Sequence, residues 1–285
     1  MLEIKKTNEK LLIDVFPNIS EYYNYCQKTP RRKDAYKASE EIDDDRTRWA
    51  GTRTLEDAYE LLVNGDEKLF KEISEKKNKI DITKVLGNKI GKNRPFNDVV
   101  GFQADVPSFL KGVPTNMVNQ TPLKISQKIL NIFIDGAVSC GVSPEKIKTA
   151  GVIYASVIDI LEKRGYRCNL YVIESSEYNG WSYYSVVRIK TDREPFNLKK
   201  IAFPLANPAY FRRVGFKWIE SCNIDTEPTH SGYGRPIDSK EAMKKTLEKN
   251  LKMNVILWRK NEKYDVNVEN VLKNLKESGI DLEQE

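Results

Sequence analysis

Side chains able to bind or react fall into three kinds of grouping along this sequence. Rings and cations alternate in three places. Trp181, Tyr183 and Tyr184 lead into Arg188 and Lys190; Tyr210 and Phe211 precede Arg212, Arg213, Lys217 and Trp218; Tyr22, Tyr23 and Tyr25 precede Arg31, Arg32 and Lys33. Single-stranded nucleic acid is held by cations on phosphates and rings stacked on bases. On that ground Trp181, Tyr183, Tyr184, Arg188, Lys190, Arg31, Arg32, Lys33, Arg212 and Arg213 are the expected nucleic-acid contacts. In the segment 210–218 the rings and charges can take opposite faces of a helix, and a core role for the rings competes there. Carboxylates gather at 40–45, five in six positions, and around 181–190 as Glu174, Glu177, Asp192 and Glu194. The first reads as a solvated acidic loop, and the second lacks a partnered base. The third grouping is Asp135-Gly136-Ala137-Val138-Ser139, a carboxylate and a hydroxyl on a run of small residues.

Several chemistries are excluded by what is missing. His230 is the single histidine, and the cysteines, Cys26, Cys140, Cys168 and Cys222, are far apart with no CxxC pair. A zinc site needs clustered ligands, and Ser-His-Asp or Cys-His catalysis needs a base beside a nucleophile. The sequence GNKIGK, from Gly87, has three residues between its glycines where a phosphate-binding loop has four. No apolar run reaches the roughly 18 residues of a membrane span, and no basic leader precedes an apolar stretch at Met1, so a cytoplasmic location is expected. The net charge of +6, from 47 basic and 41 acidic residues, permits a polyanionic partner without requiring one.

The elements that must position these groups divide the chain into three zones. Residues 1–80 are charged and mainly helical. Asn18 caps a short helix, and Thr54 with Asp57 forms a capping box for a helix over 55–64 that stops at Gly65; a charged helix over 67–78 follows. Residues 81–125 form an irregular connector with one short proline-opened helix at 105–112. Residues 126–285 form the α/β core. An apolar, β-branched strand at 128–135 gives way to the 136–141 loop. Ser143-Pro144-Glu145 opens a long helix with Ile147, Ala150, Tyr154, Val157, Ile158 and Leu161 on one face. A strand over 167–175 and one over 181–189 pair through the Asn179-Gly180 turn. Two short helices broken at Pro204 and Pro208, a helix at 239–251, a strand at 254–259 and a helix at 266–278 complete the order. That order predicts a three-layer α/β fold whose sheet is mostly parallel with one antiparallel edge hairpin. Ligands in such sheets sit beyond the carboxyl ends of the strands, which places Asp135 and the loop to Ser143 on the working rim.

The same order of elements resembles a von Willebrand factor A-type domain. That resemblance implies a divalent cation at Asp135 and Ser139, held through an Asp-x-Ser-x-Ser motif by hard oxygen donors. Position 137 is alanine where the first serine belongs. Three further segments together resemble an uncharacterised family of proteins from tailed phages and prophages. They are Trp49-Ala50-Gly51-Thr52 with Leu55-Glu56-Asp57-Ala58; Asp105-Val106-Pro107 with Phe109-Leu110-Lys111-Gly112-Val113-Pro114 and Met117; and Phe203-Pro204-Leu205-Ala206-Asn207-Pro208 with Phe211-Arg212-Arg213. This implies a phage setting inside a host cell and no particular activity. The function expected first is a non-enzymatic accessory factor that binds single-stranded DNA in transcription or replication. The alternatives are a module that binds a host or phage protein, as an assembly or counter-defence factor, and a metal-dependent enzyme at the Asp135 loop.

Overall fold

The computed structural model describes residues 2–6, 10–33, 35–41, 49–79, 95–101, 103–120, 128–178, 180–222, 235–260 and 266–280. A mixed sheet of six strands is its centre. In chain order the strands are β1 (Leu2–Lys6), β2 (Leu11–Phe16), then β6 (Ile129–Asp135), β7 (Arg167–Tyr178), β8 (Trp181–Lys190) and β9 (Ile256–Arg259). Their order across the sheet is β1-β2-β8-β7-β6-β9. β6 runs parallel to both β7 and β9, and β2 runs parallel to β8; β7–β8 and β1–β2 are antiparallel. The expected α/β class and hairpin are present, with one correction: β8 is an interior strand, not an edge. Leu11-Leu12-Ile13-Asp14-Val15-Phe16 pairs along it, so the sheet extends into the N-terminal zone. β2 also pairs antiparallel with β1 just before it, but its parallel partner β8 lies 171 residues away and leaves no local mark in the sequence.

One face of the sheet is covered by α1 (Ile19–Lys28), α2 (Leu55–Asn64), α3 (Glu67–Lys79), α5 (Pro144–Lys163), α6 (Leu198–Ala206), a π-helix (Tyr210–Gly215) running straight into α7 (Phe216–Ser221), and α9 (Val268–Glu277). The other face is covered, among the described residues, chiefly by α8 (Lys240–Leu251), through Met243 and Leu247. The helices start where the caps predict. Asn18, Thr54, Ser143, Asn197, Ser239 and Asn267 each accept a backbone N–H three residues on, and Thr54 and Asp57 cap each other reciprocally. α5 is buried all round over its middle, 150–158, because that part lies within the crowded helical layer, while its ends carry the charges. Pro204 lies inside α6, and the break comes after it, at Asn207.

Residues 95–120 fold as a separate small unit, where an irregular connector was expected. β3 (Pro95–Asp98), β4 (Gln103–Ala104) and β5 (Met117–Gln120) form an antiparallel sheet in the order β3-β5-β4, and α4 (Val106–Leu110) follows β4, capped by Asp105 with Pro107 in its first turn. The unit packs chiefly on itself. Strands of two to four residues are too short for alternation to show in the sequence.

Candidate functional site

The rim beyond β6 is held by charge pairing. Asp135 is fully buried, and its side chain points to the α8 face of the sheet. Arg259, its neighbour in register on β9, donates from Nε to Asp135 Oδ2 at 3.1 Å. Asp135 Oδ1 accepts from the Ala137 N–H at 3.2 Å and the Ser175 hydroxyl at 3.3 Å. The guanidinium is fixed further by the carbonyls of Asp238 at 2.8 Å and Ile237 at 2.5 Å. Burial pushes the Asp135 carboxyl up to about 6, and Arg259 pulls against that rise. Ser139 does not join it. It is exposed, and its carbonyl accepts from Arg212 in the helical layer on the opposite face. Both Asp135 oxygens are taken by protein donors, and a cation already stands beside them, so this donor set does not suit a bound metal. Among the described residues no three carboxylates, cysteines or histidines come together as ligands.

On the helical face a polar row crosses the sheet. Register aligns Asp14 of β2, Ser185 of β8 and Glu174 of β7. Glu174 Oε2 accepts from the Tyr22 hydroxyl and, at 2.8 Å, from the Ser185 hydroxyl; Asp14 accepts from the Trp218 indole at 2.8 Å. Lys260, past the end of β9, donates to the Pro204 carbonyl at 3.1 Å. Burial pushes Glu174 up to about 8 and Lys260 down to about 7. The π-helix closes this row. A Cβ on Gly215 would lie 2.7 Å from Glu174 Oε1, so a side chain here would collide with the carboxyl. Displaced acidities in a cleft mark catalytic sites, but Tyr22, Glu174, Ser185, Tyr210 and Lys260 are all buried in a closed interior. The row joins sheet to helices rather than facing a substrate.

The residues expected to contact nucleic acid are mostly interior. Trp181, Tyr183 and Tyr184 are buried, because β8 is covered on both faces and not on an edge. Lys190 is 3% exposed and pairs with Glu162 at 2.6 Å. Arg212 donates to the carbonyls of Trp49, Ser139 and Val142, with its guanidinium 4.4 Å over the Trp49 ring; burial lowers it to about 10. Arg213 donates to Ser39, Glu41, Thr52 and Arg53 carbonyls. These two arginines staple the 39–53 segment to the π-helix. Gly51 (φ +85°) lies so close to Asn207 that only a residue lacking Cβ fits. The segments 49–58 and 203–213 thus meet in one structural joint. Arg31 is half-buried and bridges the buried Glu220 and Glu40, while the Arg32 N–H donates to the Glu220 carbonyl. Lys33 is exposed, and Arg188 is half-buried with Nε on the Pro17 carbonyl at 3.0 Å. The rings and cations therefore do not share a surface. Asp43 to Asp45, the GNKIGK stretch and His230 lie outside the described residues.

The surface feature that departs furthest from a self-contained fold is on the 95–120 unit. Eight large apolar side chains are markedly exposed among the described residues, and six of them lie between 99 and 113: Val99, Val100, Val106, Phe109 (63%), Leu110 (78%) and Val113. Val99 and Val100 form the β3–β4 bend, and the other four lie on or just after α4. Together they expose roughly 500–600 Å² of apolar surface, as much as the largest apolar patch of a typical single chain, which is often functional. The sequence segment Val106-Pro107-Ser108-Phe109-Leu110 carried the signal as four apolar residues in a five-residue helix. Four such positions cannot all face inward on so short a helix.

A family model described as a domain of unknown function (DUF7192) matches residues 4–281. No curated protein and no solved structure matches the chain.

Proposed function

The chain belongs to that domain family, and from its geometry we propose that it is a docking protein, in which the α/β body carries the 95–120 unit as the seat for another protein. The observation that carries this reading is the clustering of Val99, Val100, Val106, Phe109, Leu110 and Val113 on one small unit, while elsewhere among the described residues only Val63 and Ile129 are exposed to that degree. Residues 95–120 contain two aspartates and one lysine. So low a charge density suits neither phosphates nor an anionic membrane surface, both of which need basic clusters. It suits the apolar, charge-poor face of a folded protein, with Asn97, Asp98, Gln103 and Lys111 as a polar rim. The strand order β8-β7-β6-β9 supports a von Willebrand factor A-like layout for the body, widened by β1 and β2. With the phage-family resemblance, the partner is a phage or host protein met inside the infected cell. A single-strand-binding surface has less support, because β8 is interior and its rings are buried, and Arg259 occupies the Asp135 rim.

A photo-reactive residue placed at 110 in the expressing host tests this. It is expected to yield one discrete adduct with a second protein. That adduct should disappear with Phe109→Asp and should be absent when the probe is at Lys163. The purified partner should then bind the full wild-type chain at least a hundredfold more tightly than it binds F109D. Identical adducts at 110 and 163, full binding by F109D, or adducts only with a second copy of the chain would overturn the proposal.

A further inference from the structure

The described residues cover the face of the sheet opposite the helical layer only in part, and one corner of it is a pocket of about 460 Å³. Its floor is Val15 of β2, Val186 of β8 and Tyr171 of β7, the last stacked on Phe133 with ring centroids 4.4 Å apart. Its wall is Leu251 and Met253. α8 ends at Lys252, a non-glycine residue in the left-handed region (φ 54°), and this turn brings Met253 back against the sheet. A left-handed lysine costs on the order of 1 kcal/mol and persists where the surroundings fix it. At the rim stands Arg188, in register with Tyr171. Its Nε is held by the Pro17 carbonyl at 3.0 Å, and the Tyr171 hydroxyl lies beside the guanidinium. No carboxylate among the described residues lies within salt-bridge distance of Arg188, whereas Arg31 has two and Lys190 and Arg259 one each.

We infer that this pocket binds a small organic acid, with an apolar body over Tyr171, Val186, Leu251 and Met253 and one carboxylate on the Arg188 guanidinium. The volume lies within the range of small-ligand sites, which are mostly apolar with a few convergent polar groups. Among the described residues Arg188 is the single cation lining the pocket, so the site matches one negative charge. A guanidinium whose Nε is already fixed presents its terminal nitrogens as a planar fork, which suits a carboxylate. The apolar lining excludes sugars and nucleotides, whose hydroxyls and phosphates would find no partners there. The site is independent of the 95–120 unit.

Titration calorimetry of the full chain with octanoate, and with octanol as the neutral match, tests the inference. Octanoate is expected to bind wild type at least tenfold more tightly than octanol. Arg188→Leu should remove that preference while octanol binding stays unchanged. Leu251→Trp, which fills the pocket from its wall, should abolish both, with unaltered circular dichroism. Should Arg188→Leu fail to fold, Arg188→Gln carries the same test. Equal binding of the two probes to wild type, binding of neither, or octanoate binding that survives Leu251→Trp would overturn it.

Discussion

Replacing Arg259 by methionine removes the charge that stands beside Asp135 and leaves a carboxylate buried with only the Ala137 N–H and the Ser175 hydroxyl as donors. Breaking one side of a buried pair costs about 3–5 kcal/mol. The carbonyls of Ile237 and Asp238 lose a donor as well, each at about 1 kcal/mol or less if water reaches them. Asp135→Asn alone leaves the guanidinium its two carbonyls and costs less. Because each partner's loss is chiefly the other's isolation, the double variant should be about 2–3 kcal/mol better than the sum of the singles. The pH dependence is specific. In wild type the Asp135 carboxyl is raised from its ordinary value to about 6 by burial. Its favourable contribution is therefore whole below the unfolded-state value and gone once pH has risen through 6. Without Arg259 the carboxyl rises further, and stability continues to fall above pH 6 by up to about 1.4 kcal/mol per pH unit. Urea unfolding at pH 5 and pH 8 reads this directly: the deficit of R259M should be smaller at pH 5 and larger at pH 8. A deficit equal at both values, or a coupling below about 0.5 kcal/mol, refutes the pairing as the reason the rim is closed.

Other outcomes follow from the same packing. Glu174→Gln should match wild type near pH 5 and exceed it at pH 9 in chemical unfolding. Glu174 is raised to about 8, so its contribution is whole below the unfolded-state value and lost as pH climbs through 8, by as much as about 5 kcal/mol. Gly215→Ala should cost about 1–3 kcal/mol in thermal unfolding because its Cβ would meet Glu174 Oε1; Glu174→Ser should recover part of that loss. Arg213→Lys cannot reach four carbonyls with one ammonium and should cost about 2 kcal/mol or more, read by denaturant midpoint. Phe109→Asp should change the unfolding midpoint by less than about 0.5 kcal/mol equivalent, since the ring is already in water.

How far the sequence reveals this molecule depends on the range of the interaction. Caps, the long helix after Ser143, the β7–β8 hairpin and β9 are local signals, and the elements lie where those signals place them. β1 and β2 do not show in the charged N-terminal zone although they pair locally with each other, and β2's other partner, β8, is 171 residues away; the 95–120 sheet has strands of only two to four residues. The candidate sites were legible only as residue types. Trp181, Tyr183 and Tyr184 read as a stacking platform so long as β8 was an edge, and the pairing of β2 on its far side turned them inward. Arg212 and Arg213 read as phosphate ligands, but backbone carbonyls, which no sequence displays, take both of them. Asp135 was found correctly as the last residue of β6. Its partner Arg259 lies 124 residues on, at the end of another strand. Arg188 stood out for its charge, while the apolar pocket below it depends on where α8 stops.

The docking reading rests on where a partner covers the chain. Amide hydrogen exchange of the full protein, alone and with the protein captured at position 110, measures that coverage. The prediction is slowed exchange confined to 97–114, with the amides of 136–142 and of β8 unchanged. Protection at those latter segments with none over 97–114 would contradict the assignment of the 95–120 unit as the seat.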